Sequence, residues 1–203
     1  EAKEWRGGFR MAVAGGTTPV RTYQLLAADS GMRWDRIEIG FADERSVPPD
    51  HADSNYRMVA ESLLTPLGAA APPVHRMHGE EADLNVAARA SEAWFVEPLD
   101  LLVLGIGEDG HVASIFPRSP VLGERVRRVV EVTGSPRPPA RRLTITPRVI
   151  AEARAVLVLA FGSNKAPAVT RALADEGAIA ECPARLVRTG RWMLDRAAAI
   201  TLR

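Results

Sequence analysis

Residues 99–117 read Leu-Asp-Leu-Leu-Val-Leu-Gly-Ile-Gly-Glu-Asp-Gly-His-Val-Ala-Ser-Ile-Phe-Pro. They pass without a break from an apolar run into a polar, glycine-rich loop. Leu101-Leu102-Val103-Leu104 is apolar on both faces, the pattern of a central parallel strand covered by helices on each side. Gly105, Gly107 and Gly110 let the chain turn sharply and let a ligand approach the backbone, because no Cβ stands in the way. Asp109 and His111 are thereby carried to the carboxyl end of a strand, where open α/β sheets place their ligands. The fold expected from this stretch is an α/β domain built on a mostly parallel sheet flanked by helices.

Gly105-Ile-Gly107-Glu-Asp-Gly110 has the G-x-G-x-x-G spacing of a dinucleotide loop, but its context does not. Such a loop runs into a helix that carries the pyrophosphate, with an acidic residue about twenty positions on for the ribose. Here it runs into Asp-Gly-His and then Pro117, with a charged group crowding the phosphate position. No dinucleotide is expected.

At 203 residues and 46% apolar content, the chain fits one large domain with ample length to bury a core. Its formal charge of +1 gives no general pull toward nucleic acid or membrane. Segment 118–154 holds nine Arg against three acidic residues, a solvated face or an attractor of anions. Cys182 is the single cysteine, so neither a disulfide framework nor a cysteine metal cluster is expected. No apolar run approaches the roughly 18 residues of a membrane span, and no signal peptide opens the chain. A soluble protein of the reducing cytoplasm is expected. Lys3 and Lys165 are the only lysines beside 24 Arg, which sets Lys165 apart as the internal exception to a strong compositional lean.

Outward from this stretch, Phe9 to Ala14 reads as a short strand ending in Gly15-Gly16-Thr17-Thr18-Pro19. Thr18 is expected to cap a helix that starts at Pro19 and runs through Ala28. A strand, a Gly-Gly-Thr-Thr turn and a helix start form either an ordinary tight turn or an anion cradle, since amide N–H groups and the helix dipole favour negative charge there. Ile37 to Ala42 reads as a strand ending at Asp43-Glu44-Arg45. Three consecutive charges at a strand's end form a solvated corner or a site, and the position favours a site. Asp53-Ser54 offers caps for a helix through Leu64, stopped by Pro66 and Gly68, and His51 is expected to be exposed. His75 and His78 do not read as a metal pair: the segment is too short for a helix and no carboxylate is evident nearby. Residues 81–96 suggest a helix.

Beyond Pro117, strands are expected at Val126 to Val132, Arg141 to Thr146 and Ala155 to Phe161, with a short helix from Pro147 to Ala153. Ser163 is expected to cap a helix running to Ala174, placing Lys165 in its first turn. A cation there opposes the helix dipole unless a phosphate binds, so Lys165 fits an anion site. A short Trp192-containing segment closes the chain.

Four stretches now stand in order: Ala14-Gly-Gly-Thr-Thr-Pro19, Phe41-Ala-Asp-Glu-Arg45 with Asp53-Ser-Asn-Tyr56, Leu104-Gly-Ile-Gly-Glu-Asp-Gly-His111 with Ala113-Ser-Ile-Phe-Pro117, and Gly162-Ser-Asn-Lys-Ala166. Together they resemble the 6-phosphogluconolactonase family over nearly the whole chain. The resemblance implies a single-domain, modified Rossmann-like fold spanning 1–203 and no redox cofactor, and the residues themselves give no expectation of a metal. It also implies hydrolysis of 6-phosphogluconolactone to 6-phosphogluconate in the pentose phosphate pathway. It makes His111 the general base, Arg45 a substrate-binding cation and Lys165 a phosphate ligand. Gly15, Gly16, Thr17 and Thr18 become the loop beside the phosphate, and Arg142 a further candidate for the same anion. Asp43 joins the substrate-binding set with its role open. The partner implied is a small phosphosugar lactone, with neither nucleic acid nor membrane, and a monomer is expected. Family members usually carry an additional helix before the first strand, whereas this chain begins about eight residues ahead of it. Either the chain is trimmed or the covering of one sheet face is expected to be incomplete.

The residue types suit that chemistry. Hydrolysis of an internal ester needs an activated water, a stabilised oxyanion and a proton for the leaving ring oxygen. An imidazole, which titrates near pH 6.5, can both take and return a proton. Asp109 could hold its other nitrogen, and Arg45 or loop amides could stabilise the oxyanion. Ser114 is a possible nucleophile, although no G-x-S-x-G elbow surrounds it. Two other readings stay open. Glucosamine-6-phosphate deaminases share the Asp-Gly-His loop but place a Glu five residues after the His, where this chain has Phe116. A non-enzymatic sugar-phosphate sensor could keep the cations, but would have no use for His111 and Asp109.

Overall fold

The computed structural model describes residues 8–202; Trp5 and any helix ahead of the first strand lie outside them. The chain forms β1 (Phe9–Val13), α1 (Val20–Ala28), β2 (Ile37–Phe41), β3 (Asp43–Arg45), α2 (Asn55–Val59), α3 (Thr65–Leu67), β4 (Val74–His75), α4 (Leu84–Glu92) and β5 (Leu101–Gly105). Then follow β6 (Val129–Val132), β7 (Arg142–Ile145), α5 (Pro147–Glu152), β8 (Val156–Ala160), α6 (Ala166–Leu173) and β9 (Arg191–Leu194). Six strands make a parallel sheet in the order β4-β2-β1-β5-β8-β9. Its two middle strands are the most apolar: Ala12, Val13, Leu102 and Leu104 are fully buried, as residues covered on both faces must be. Among the described residues no helix is long and apolar enough to cross a membrane.

The strand order fixes where a ligand can sit. From β1 the chain winds outward to β2 and β4, then returns to β5 on the other side of β1 and winds outward again to β8 and β9. Loops leaving β1 and β5 therefore diverge in opposite directions, and their divergence opens a crevice at the carboxyl ends of these strands. The Gly15–Thr18 turn follows β1, and the Gly107–His111 loop follows β5.

A second, antiparallel sheet of order β3-β7-β6 stands beside this crevice. Ala42 joins the two sheets: its N–H donates to the Val13 carbonyl at 2.9 Å and its carbonyl accepts from the Ile145 N–H at 2.9 Å. The Asp43-Glu-Arg45 terminus is thus itself a strand, with Asp43 opposite Thr144 and Arg45 opposite Arg142. Three charged residues have little β propensity, and only cross-strand pairing makes them extended.

Several local expectations are corrected. No side chain caps α1; Pro19 takes the cap position, leaving Thr18 free to face the crevice. Ser163 makes no cap bond either: Gly162, at φ +95°, swings the chain into a 3-10 turn (Ser163–Lys165) closed by Lys165 N–H on the Gly162 carbonyl at 3.0 Å. Lys165 consequently stands at the cap of α6. Ser54 does cap α2, accepting from Arg57 N–H at 3.2 Å; the helix continues through a π turn (Ala60–Leu64) to α3. The 81–96 helix shortens to α4 plus a 3-10 turn (Ala93–Phe95), because Asp83 caps it by accepting from Asn85 N–H. The strand placed at Val126 starts at Val129, since Glu124 accepts the N–H groups of Val126 and Arg127 and turns that segment. The Trp192 segment is the edge strand β9, with alternating exposure. His75 and His78 each have a carboxylate partner after all, Glu38 at 3.1 Å and Glu80 at 3.2 Å. The first is brought by sheet pairing and the second lies two residues away. His51 has a half-exposed side chain, as expected.

Candidate active site

Asp109 and His111 share one tight loop. The Gly107 N–H donates to the His111 carbonyl at 2.9 Å, and the Gly110 N–H to the Gly107 carbonyl at 2.9 Å. This folding brings Nδ1 of His111 to 2.6 Å from Oδ1 of Asp109, which also accepts the His111 backbone N–H at 3.2 Å. Burial would raise the Asp109 carboxyl, but the His111 ring, its N–H and the charge of Arg137 outweigh that and hold it at about 2. An ionised carboxylate can only accept, so Nδ1 carries the hydrogen and the lone pair is on Nε2. His111 lines the crevice, and its ring rests on Phe116 with centroids 4.6 Å apart.

A carboxyl that titrates near 2 in the folded chain and near 3.9 unfolded stabilises the fold above about pH 4, and that stability is lost as pH falls toward 2. Asp109→Asn is therefore expected to flatten the fall in urea midpoint between pH 4 and pH 2. An identical acid profile in the variant would contradict the assignment.

The crevice is a cleft of about 290 Å³ lined by Ala14 to Thr18, Asp43, Arg45, Gly105 to Gly107, His111, Ala113, Arg137, Pro138, Arg142 and Lys165. The Gly15–Thr18 turn is pinned from beneath, where the buried Tyr23 hydroxyl donates to the Ala14 carbonyl at 2.9 Å. A Cβ on Gly15 would lie 1.7 Å from Oδ1 of Asn55, so only glycine lets the turn lie against the start of α2.

Four cationic side chains reach the cleft. Arg45 donates from Nη1 to the Asp53 carbonyl at 2.8 Å, and its buried Nε has no partner among the described residues. Beside it Glu44 is buried, accepting the N–H groups of Arg45, Asn55 and Tyr56 and the Ser54 hydroxyl. Burial raises its carboxyl above the ordinary value despite those donors. Glu44 thus ties β3 to the start of α2 rather than entering the cleft. Lys165 is half-buried at the cap of α6; burial lowers its ammonium, with Glu108 opposing and Arg137 adding to the shift. A bound anion would reverse that penalty.

Arg142 is buried, with its guanidinium over the Phe116 ring. Burial lowers it and the Asp43 charge opposes. Its Nε donates to the Pro139 carbonyl at 3.2 Å and its Nη2 to those of Arg137 and Pro138, each at 3.1 Å. Those bonds fix the loop that delivers Arg137 to the cleft. Arg137 is the functional candidate that the sequence reading passed over, because Ser135-Pro-Arg-Pro-Pro carries only turn signals. The single cue was a cation flanked by prolines, a stiff mount for a side chain.

The residues singled out from the sequence as catalytic or substrate-binding meet in this cleft, except Asp109, which stands behind His111, and Ser114. Ser114 is no nucleophile: it is fully buried and its hydroxyl donates to Oδ2 of Asp43 at 2.6 Å. Asn55, given no role from the sequence, is fully buried and donates from Nδ2 to the Asp43 backbone carbonyl at 2.8 Å and to its Oδ1 at 3.1 Å.

The family model of glucosamine-6-phosphate isomerases and 6-phosphogluconolactonase matches residues 1–194. The 6-phosphogluconolactonase of Rattus norvegicus is 36% identical over 209 residues, covering 96% of this chain and 80% of its own. That of Homo sapiens is 36% identical over 212 residues, covering 96% and 81%. The crystal structure of 6-phosphogluconolactonase from Thermotoga maritima superposes with a TM-score of 0.82 at 32% identity, covering 94% of this chain and 87% of that one.

Proposed function

This chain belongs to the family of glucosamine-6-phosphate isomerases and 6-phosphogluconolactonases, and we propose that its reaction is hydrolysis of 6-phosphogluconolactone to 6-phosphogluconate in the pentose phosphate pathway. One observation carries the reading. An imidazole held by an ionised carboxylate and a ring of four cations face the same cleft, which suits a substrate that is an ester at one end and a phosphate at the other. The lactonases among its relatives support it.

The steps follow from the groups present. Water attacks the lactone carbonyl as Nε2 of His111 takes its proton, and Asp109 stabilises the imidazolium that forms. Arg45 or the loop amides stabilise the oxyanion. When the bond from the carbonyl carbon to the ring oxygen breaks, the imidazolium returns its proton to that oxygen, which leaves as a hydroxyl. Lys165, with Arg137 and the Gly15–Thr18 turn, holds the phosphate. Arg142 contributes charge from beneath. A monomer is the proposed working unit, and the free thiol of Cys182 suits a reducing cytoplasm. Phe116 cannot move a proton, so its packing on His111 speaks against a deaminase.

The purified protein is expected to consume 6-phosphogluconolactone well above the spontaneous rate, followed by acid release at constant pH; no acceleration would sink the reading. Lys165→Ala should raise KM about 10- to 100-fold with kcat nearly kept, as loss of a charge-assisted bond made equally in ground and transition states requires. A pure fall in kcat would remove Lys165 from the phosphate.

A further inference from the structure

Asp43 stands apart from the groups that would hold a phosphate. It is the one carboxylate among the residues lining the cleft, beside Arg45, Arg137, Arg142 and Lys165. A substrate phosphate carries about −1.5 to −2 charges, and a neighbouring carboxylate repels it. Among the described residues no cation makes a direct ion pair with Asp43, although its charge acts on Arg142 and its side chain is buried and lines the cleft. Its two anchors are neutral donors, Ser114 on Oδ2 at 2.6 Å and Asn55 on Oδ1 at 3.1 Å. Both anchors are fully buried and unable to swing away. Each carboxylate oxygen has two acceptor positions, so one on each oxygen is left, and a buried acceptor without a donor is costly.

We propose that Asp43 is a specificity residue: it accepts the hydrogen of a ring hydroxyl of the bound lactone, and Ser114 and Asn55 are positioning residues that aim it. This rests on the lactonase reading and deepens it. The phosphate and the ester are answered by cations and by His111; the ring hydroxyls between them are the neutral donors that a lone carboxylate suits. A site built to bond a substrate hydroxyl discriminates strongly against an analogue lacking it, because its own acceptor is then left unpaired. Asp43 thereby separates phosphorylated sugar lactones from phosphorylated lactones with a bare ring.

The test compares 6-phosphogluconolactone with its 2-, 3- and 4-deoxy counterparts. For the natural chain, kcat/KM is expected to fall about 10- to 100-fold for one of the three. In Asp43→Asn the parent lactone should drop to the level of that deoxy substrate, which itself changes little; such non-additivity is the mark of a direct bond. Ser114→Ala should lower the same selectivity ratio, which a merely structural role would not move. Uniform rates within threefold across the panel for the natural chain, or a ratio that survives in both variants, would overturn the proposal. Calorimetry of 6-phosphogluconate and its three deoxy analogues gives the same comparison without hydrolysis. A chain that binds them selectively but turns over no lactone would cost the lactonase reading and leave Asp43 its role.

Discussion

His111→Ala is expected to lower kcat for 6-phosphogluconolactone by about 10²- to 10⁴-fold, the range of general acid–base assistance, with affinity for 6-phosphogluconate changed by less than threefold. The asymmetry follows from the layout. His111 contributes its ring to the cleft, while the charges proposed to hold the phosphate, those of Arg137, Arg142 and Lys165, come from other elements. Truncation leaves Asp109 without its ring partner, but that carboxylate is only partly buried and water can replace the lost donor. The measurement is steady-state lactone hydrolysis corrected for the spontaneous rate, alongside calorimetry with the product acid. Turnover at the natural level would take His111 out of the mechanism. A parallel loss of product binding would mean that the ring holds substrate rather than moving its proton.

Gly107→Ala is the second large effect, and it needs no change to any group that touches substrate. A Cβ at this position would lie 2.0 Å from Nδ1 of His111 and 2.5 Å from Oδ1 of Asp109, against the roughly 3.5 Å at which carbon meets its neighbours comfortably. Something must move by more than an ångström. The ring cannot simply retreat, because Phe116 stands against it and Arg142 stands over Phe116. Misplacing a reacting group by about 1 Å costs on the order of 10²-fold in rate, and that is the fall expected in kcat. Overpacking should also take about 1–3 kcal/mol from stability, leaving a folded chain by circular dichroism. Full activity in Gly107→Ala would show that the tight Asp109–His111 pairing is dispensable.

The two variants also show why some of the site was legible in the chain and some was not. Gly107, Asp109 and His111 lie within five residues, so their geometry is local, and a glycine two positions before a carboxylate and four before an imidazole declares a tight functional loop. The same holds for Gly15-Gly16-Thr17-Thr18 after an apolar strand, and for Lys165 after Gly162. Ser114 misled for the opposite reason. A hydroxyl near a catalytic histidine looks reactive in one dimension, and its partner Asp43 lies 71 residues away in sequence. Arg137 was hidden on similar grounds. Its proline-rich loop carries only turn signals, and its place at the cleft depends on Arg142, which lines the same cleft and donates to the carbonyls of Arg137, Pro138 and Pro139.

By itself the sequence determined the parallel core of the sheet, through strands apolar on both faces, and the catalytic loop, through glycine spacing, because both depend on near neighbours and on the period of side-chain exposure. Only the tertiary structure decided that Asp43-Glu-Arg45 is a strand, that Asn55 and Ser114 hold the Asp43 carboxylate, and that Arg137 joins Arg142 at the cleft. Those outcomes rest on pairing and burial between segments far apart in the chain, where the free energy of a contact depends on what the fold brings opposite and not on what precedes or follows.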